Sequence, residues 1–124
     1  MPQRAGRAEE AVAPLLRAQR LDPGRNVRIS QYLGIVYNAL ERPEDAVAEL
    51  EPFLADYPTY FPLHRTLIYA YWQVGDVKRA RQLVANVLKS DPDFSSEDIG
   101  RKLPFKDLAI RDRIVETWKK AGFP

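Results

Sequence analysis

The chain has 124 residues, 45% of them apolar and 29% charged, a composition that fits one globular domain of ordinary size. Nineteen basic against seventeen acidic residues leave a net charge of +2 with both signs interspersed, which argues against a nucleic-acid binder, whose basic charge gathers on one face. No stretch approaches the ~20 apolar residues of a membrane span, the basic start Met1 to Arg7 runs into Glu9 and Glu10 instead of an apolar leader, and the absence of cysteine removes disulfides, thiolate nucleophiles and thiolate metal sites.

Residues 6 to 23 match residues 41 to 58 at a lag of thirty-five, with Arg7 on Arg42, Ala11-Val12-Ala13 on Ala46-Val47-Ala48, Leu15 on Leu50 and Pro23 on Pro58. The opening segment is therefore expected to be the second half of a repeat whose first helix would lie ahead of Met1. Leu15 and Leu16 then need another chain or a further segment to cover them. Pro14 would cost ~3 kcal/mol or more in a straight helix interior, so the expectation is a kink there or a later helix start. Glu9-Glu10 and Glu44-Asp45 fall at corresponding first-turn positions, where negative charge favours the helix dipole.

Between Val27 and Leu40, residues Ile29, Leu33, Val36, Tyr37 and Leu40 fall three or four apart and define one helical stripe. Gly34 lies on that stripe, which predicts close approach of a neighbouring backbone. Pro43 opens the next helix, with Ala46, Val47, Leu50, Phe53 and Leu54 on its buried face and Pro52 predicting a kink.

A shift of thirty-four positions then superposes Leu33 on Leu67, Tyr37 on Tyr71, Ala46 on Ala80, Leu54 on Leu88 and Pro58 on Pro92. A lag of that size marks a two-helix unit that buries its apolar face only against neighbours. Gly75 is expected to end one helix and Asp76 to cap the next. Ala46 and Ala80 are expected where paired helices touch most closely.

After Pro92 the period lapses. Ser95 followed by Asp98 signals a short helix from about Ser96 to Lys102. Asp107 caps a last one carrying Leu108, Ile110, Ile114, Val115, Trp118 and Ala121, closed by Gly122 with Phe123. This pair is expected to cap the stack.

On Leu33-Gly34-x-x-Tyr37, Ala46, Pro58, Leu67, Tyr71, Gly75-Asp76, Ala80 and Asp91-Pro92, residues 6 to 92 resemble a tetratricopeptide repeat protein. The resemblance implies an all-α fold, a right-handed α-α superhelix within a single domain. Its units would be a half repeat at 6–25, repeats at 27–60 and 61–94, and capping helices at 95–124. Ser30 and His64 stand where the family often has Trp, and Ile68 stands where Gly34 predicts a small residue, so looser packing of the second full repeat is expected. The tail, through Pro92-Asp93-Phe94-Ser95, Leu103-Pro104-Phe105-Lys106-Asp107 and Trp118 to Pro124, is similar to the C-terminal ends of bacterial adenylate/guanylate cyclase-like signalling proteins that carry such repeats. That similarity implies a regulatory module and carries no activity, because no cyclase catalytic segment is present.

In the resembled family the first helices of successive repeats line a concave groove for an extended peptide or a partner helix. By position that implies Arg28, Gln31, Ile35 and Asn38 from one repeat and Arg65, Tyr69, Trp72 and Gln73 from the next. Helical spacing independently places these residues off the apolar stripe, and Tyr, Trp and Arg together have the composition of an interface hot spot. Trp72 and Tyr69 would be apolar anchors, and Arg28 and Arg65 would pair with an acidic residue or carboxylate. Asn38, Gln31 and Gln73 would hydrogen-bond the ligand backbone. Alternatively, Tyr69 and Trp72 only pack against the next repeat or the tail. Gln31 and Ile35 occupy places where the family's chaperone-binding carboxylate clamp has lysine and asparagine, which argues against that ligand class.

The lone His64 falls on an inward stripe and reads as a core side chain satisfied by a backbone group. No phosphate loop, metal-ligand spacing or nucleophile elbow is present. The expectation is a cytoplasmic, non-catalytic interaction scaffold without cofactor, membrane or nucleic acid, binding a protein or peptide partner of acidic character. The alternative is a regulatory or dimerising segment of a larger signalling protein, forming a homodimer through the exposed N-terminal half repeat.

Overall fold

The apolar spacing of three and four is realised as helices along the whole described chain, and no strand occurs among the described residues. A computed structural model describes residues 3–21, 26–105 and 107–124, with side chains at residue 10 and from residue 12 onward within those ranges. The helices follow as α1 (Gln3–Leu21), α2 (Val27–Ala39), α3 (Pro43–Leu50), α4 (Phe61–Gln73), α5 (Val77–Ser90), α6 (Ser96–Arg101) and α7 (Leu108–Ala121). The fold is all-α. Helix α2 pairs with α3 and α4 with α5, while α1 leans on α2, α3 on α4 and α2 on α4.

The lag of thirty-four is a lag in burial. Leu33 and Leu67 are fully buried, as are Ala46 and Ala80, and Tyr37 and Tyr71 are both inside. The larger core cluster runs from Leu50 through Leu63, Leu67 and Ile68 to Trp118 and Phe123. A smaller one gathers Leu33, Tyr37, Ala46 and Ala70, with Val12, Leu15 and Leu16 of α1 packed on it. The apolar face of α1 is therefore covered on one side by α2 and α3. Ile68 is wholly enclosed, so the second pair of helices accommodates a branched side chain where the first holds Gly34.

Local chemistry sets the helix ends. The Asn26 Oδ1 accepts the Arg28 N–H at 2.9 Å, Asp76 caps α5 through the Arg79 N–H at 3.2 Å, and the Ser95 Oγ accepts from the Asp98 N–H at 3.2 Å. Pro52 does not kink one long helix. Helix α3 stops at Leu50 and the chain tightens into a 3₁₀ turn over Glu51–Phe53, a short form that suits a residue with no N–H to donate. Helix α1 runs through Pro14 from Gln3, so Glu9 and Glu10 fall in its interior and the first turn carries no acid. The expected end of the half repeat at Asp22-Pro23 lies outside the described residues.

Buried Ser30 and His64 are both held by polar bonds. Ser30 Oγ donates to Glu49 Oε2 at 2.7 Å, and Gln19 Nε2 of α1 donates to the same carboxylate at 2.6 Å, tying α1 to α2 and α3. Buried His64 sets Nε2 3.0 Å from the Tyr57 carbonyl, and a carbonyl only accepts, so that nitrogen carries the proton.

Gly75 takes φ +90° where α4 ends, and Glu41 takes φ +58° at the same place after α2, thirty-four residues earlier. A left-handed backbone costs a side-chain-bearing residue roughly 1–2 kcal/mol. Glycine avoids that, at an entropic cost of about 0.5–1 kcal/mol in the unfolded chain. The Glu41 carboxylate reaches Arg113 at 3.5 Å but is 76% exposed, and such pairs contribute little. Glu41→Gly is therefore expected to raise the unfolding free energy by about 0.5–1 kcal/mol in urea titration. A decrease would show that the Arg113 contact outweighs the backbone strain.

The C-terminal pair folds back on the stack. Gly100 faces Val115 so closely that a β-carbon there would collide with the valine side chain, which fixes α6 against α7. Helix α7 closes with Gly122 at φ +126° and the Phe123 N–H donated to the Trp118 carbonyl at 3.0 Å. Phe123 then lies on Phe94, ring centroids 4.1 Å apart, and the Ser96 N–H donates to the Pro124 carbonyl at 3.0 Å.

Candidate functional site

Helices α2 and α4 run side by side and carry the eight expected site residues. The C-terminal pair covers part of their surface. Helix α7 lies on α4 and reaches the end of α2. Arg113 Nε donates to the Tyr69 hydroxyl at 2.7 Å, Arg113 Nη2 donates to the Asn38 carbonyl at 3.2 Å, and Gln73 Nε2 donates to Thr117 Oγ1 at 3.3 Å. Tyr69 and Asn38 are buried beneath it. Burial pushes the Tyr69 phenol pKa up, against the pull of the adjacent Arg113 guanidinium. Tyr69 thus takes the second of its two expected placements and packs on the tail.

Gln31, Ile35 and Arg65 come together elsewhere on the same face. With Thr66 they form one wall of a half-open cavity of about 160 Å³, whose other wall is Lys102, Leu103, Pro104 and Trp118. Trp118 Nε1 donates to the Arg65 carbonyl at 3.0 Å and closes one side. The tail residues on this wall were not anticipated as site residues. The apolar spacing of Ile110, Ile114 and Trp118 signalled only a face in need of cover. Arg28 is exposed on the first turn of α2, and Trp72 is half-buried with the Arg81 guanidinium 5.7 Å from its ring centre.

Hydrogen bonding fixes the Gln31 amide. Its Nε2 donates to Thr66 Oγ1 at 2.8 Å, and the single Thr66 hydroxyl proton is already donated to the Pro62 carbonyl at 3.0 Å. Gln31 Oε1 is consequently left facing away from Thr66, buried and without a donor, in a residue only 8% exposed. Arg65 is half-buried, and burial pushes its pKa down. Its guanidinium lies 5.9 Å from the centre of the Phe94 ring, and no carboxylate stands within salt-bridge distance of it among the described residues. Asn38 Nδ2 donates to the Thr66 carbonyl at 3.1 Å, so that side chain braces α2 against α4.

The arrangement is suited to holding a ligand by charge, hydrogen bonds and apolar contact. Among the described residues no cluster of three or more His, Asp or Glu is placed to hold a metal ion, and no helix is long and apolar enough to cross a membrane.

The family model described as Tetratricopeptide repeat matches residues 39–97, from the end of α2 through α5 to the start of α6. No curated protein and no solved structure matches the chain. Domains of that family generally bind protein partners and are generally non-catalytic, and the helix-pair stack seen here is consistent with the match. This all-helical chain therefore carries, over residues 39–97, a segment similar to the tetratricopeptide repeat, and with it the character of a protein-interaction module.

Proposed function

We propose that the chain binds a peptide or partner helix on its concave face, with Gln31, Ile35 and Arg65 forming the floor and Arg28 and Trp72 the outer contacts. The carrying observation is the cavity between α2, α4 and the tail, lined by Arg65 and Lys102 together with apolar Ile35, Leu103 and Trp118. Asn38, Tyr69 and Gln73 serve beneath α7 as the braces that hold the face in shape. Arg28 and Arg65 favour a partner of acidic character. The units follow the boundaries 6–25, 27–60, 61–94 and 95–124, with the last contributing one wall of the site.

Acidic peptides selected by display on the full chain test this. The Arg65→Ala, Trp72→Ala double variant is expected to bind them at least ~10-fold more weakly in titration, and equal binding would overturn the proposal.

A second reading, a dimerising segment of a larger bacterial cyclase-like signalling protein, is favoured by one observation: Leu21, at the end of α1, is 81% exposed. Sedimentation of the chain and of Leu21→Ser over a range of concentrations tests it, and a concentration-independent monomer counts against it.

A further inference from the structure

The second helices of the two full units carry opposite charge. Glu44 and Asp45 stand in the first turn of α3, and Lys78 and Arg79 occupy the equivalent places in α5, thirty-four positions later. The acidic ridge continues through Glu51 and Asp56, while α5 adds Arg81 and Lys89 and holds no acid between Val77 and Ser90. All of these side chains are exposed or half-exposed. Negative charge suits the first turn of a helix and positive charge opposes it, so Lys78 and Arg79 sit at the unfavourable end of α5. Asp76 answers only Arg79, at 3.4 Å.

The two ridges border one half-open furrow of about 350 Å³, with Glu51 and Leu54 on one bank and Arg79, Gln82 and Asn86 on the other. Across it Arg79 Nη1 donates to Glu51 Oε2 at 2.9 Å. Lys78, Lys89, Glu44 and Asp56 make no ion pair among the described residues. Exposed Ala48 and Ala85 keep both ridges low enough for another helix to approach. A uniform polyanion drawn to α5, whether nucleic acid or an anionic bilayer, is repelled by the acids of α3 beside it. A partner that satisfies both ridges carries acid and base side by side, and this chain is itself such a surface.

We propose that a second copy of this chain docks here, turned half round about an axis along the furrow, so that α5 of each protomer lies on α3 and the 3₁₀ turn of the other. A two-fold dimer demands a self-complementary patch of this kind, and each unpaired cation then faces the partner's acidic ridge. The contact uses neither Leu21 of α1 nor the cavity on α2 and α4.

Analytical ultracentrifugation of the full chain tests it. At low ionic strength a reversible dimer is expected with a Kd of roughly 100 µM or tighter, weakened at least ~10-fold in about 0.5 M salt. Glu44→Lys, Asp56→Lys puts cations on both ridges, and Lys78→Glu, Lys89→Glu puts anions on both. Each double variant is expected to self-associate at least ~10-fold more weakly. Mixed in equal amounts, they are expected to pair with each other within about threefold of the wild-type affinity, since wild-type ridges meet in one half of the interface and doubly reversed ridges in the other. Variants that pair only with one another are thereby shown to be folded.

A wild-type chain still monomeric at about 1 mM, reversed variants that self-associate as the wild type does, or a mixture that stays monomeric overturns the proposal. So does association abolished by Leu21→Ser and untouched by either reversal, which places the contact on α1. A monomeric chain that instead binds oligo(dT) or phosphatidylserine vesicles, more tightly as Glu44→Lys, Asp56→Lys, gives α5 to a polyanion and likewise overturns it.

Discussion

Trp118→Ala is expected to lower the unfolding free energy by ~3 to 5 kcal/mol, the usual range for removing a buried tryptophan. Trp118 is 2% exposed, meets Phe94 edge-on with ring centroids 6.1 Å apart, and donates its indole N–H to the Arg65 carbonyl at 3.0 Å. Truncation opens a void between α7 and α4 and leaves that carbonyl without its donor. For a domain with ~5–15 kcal/mol in total, this is a large share of the stability. Trp72 remains as a fluorescence reporter, so urea titration followed by fluorescence and circular dichroism gives the value. A loss under ~1 kcal/mol would mean that α7 does not belong to the cooperative core.

Leu50→Ala is expected to cost ~2 to 5 kcal/mol, and its partner in the experiment is Gly34. Leu50 is fully buried, and a β-carbon built on Gly34 would run into its side chain and come within 3.2 Å of Thr66 Cγ2. Gly34→Ala alone sets a helix-propensity gain of ~1 kcal/mol against overpacking of ~1 to 3 kcal/mol, for an expected net loss of at most ~2 kcal/mol. In the Leu50→Ala background the new methyl enters vacated space and Gly34→Ala becomes stabilising. The double-mutant cycle is therefore expected to return a coupling of ~1 to 3 kcal/mol. A coupling below ~0.5 kcal/mol would place the two helices out of contact at Gly34.

The stacked pairs were legible because a repeat writes its burial into local spacing. Leu33 and Leu67, or Ala46 and Ala80, need only be read three or four residues at a time, and the lag of thirty-four says which positions share an environment. Gly34 was legible as a close contact, though its neighbours are the side chains of Leu50 and Thr66 and not a backbone. The site was less legible. Arg113 meets Tyr69 and Asn38 across 44 and 75 positions of sequence, and no periodicity connects a lone arginine in a tail to residues on two earlier helices. The spacing of Ile110, Ile114 and Trp118 announced a buried face without naming the surface that buries it. Ser30 shows the same limit, since a serine among apolar residues gave no sign of Gln19 and Glu49 as its partners.

A stack whose members touch only adjacent members frays from its ends and yields its layers one after another. The return of α7 onto α4, with Arg113 anchored at the end of α2, breaks that linear order. Loosening the last layer strips cover from Tyr69, and loosening the first full pair removes the carbonyl that holds Arg113. Melting is thereby concerted across the molecule, and forming contacts so distant along the chain makes folding slower than a plain run of hairpins permits.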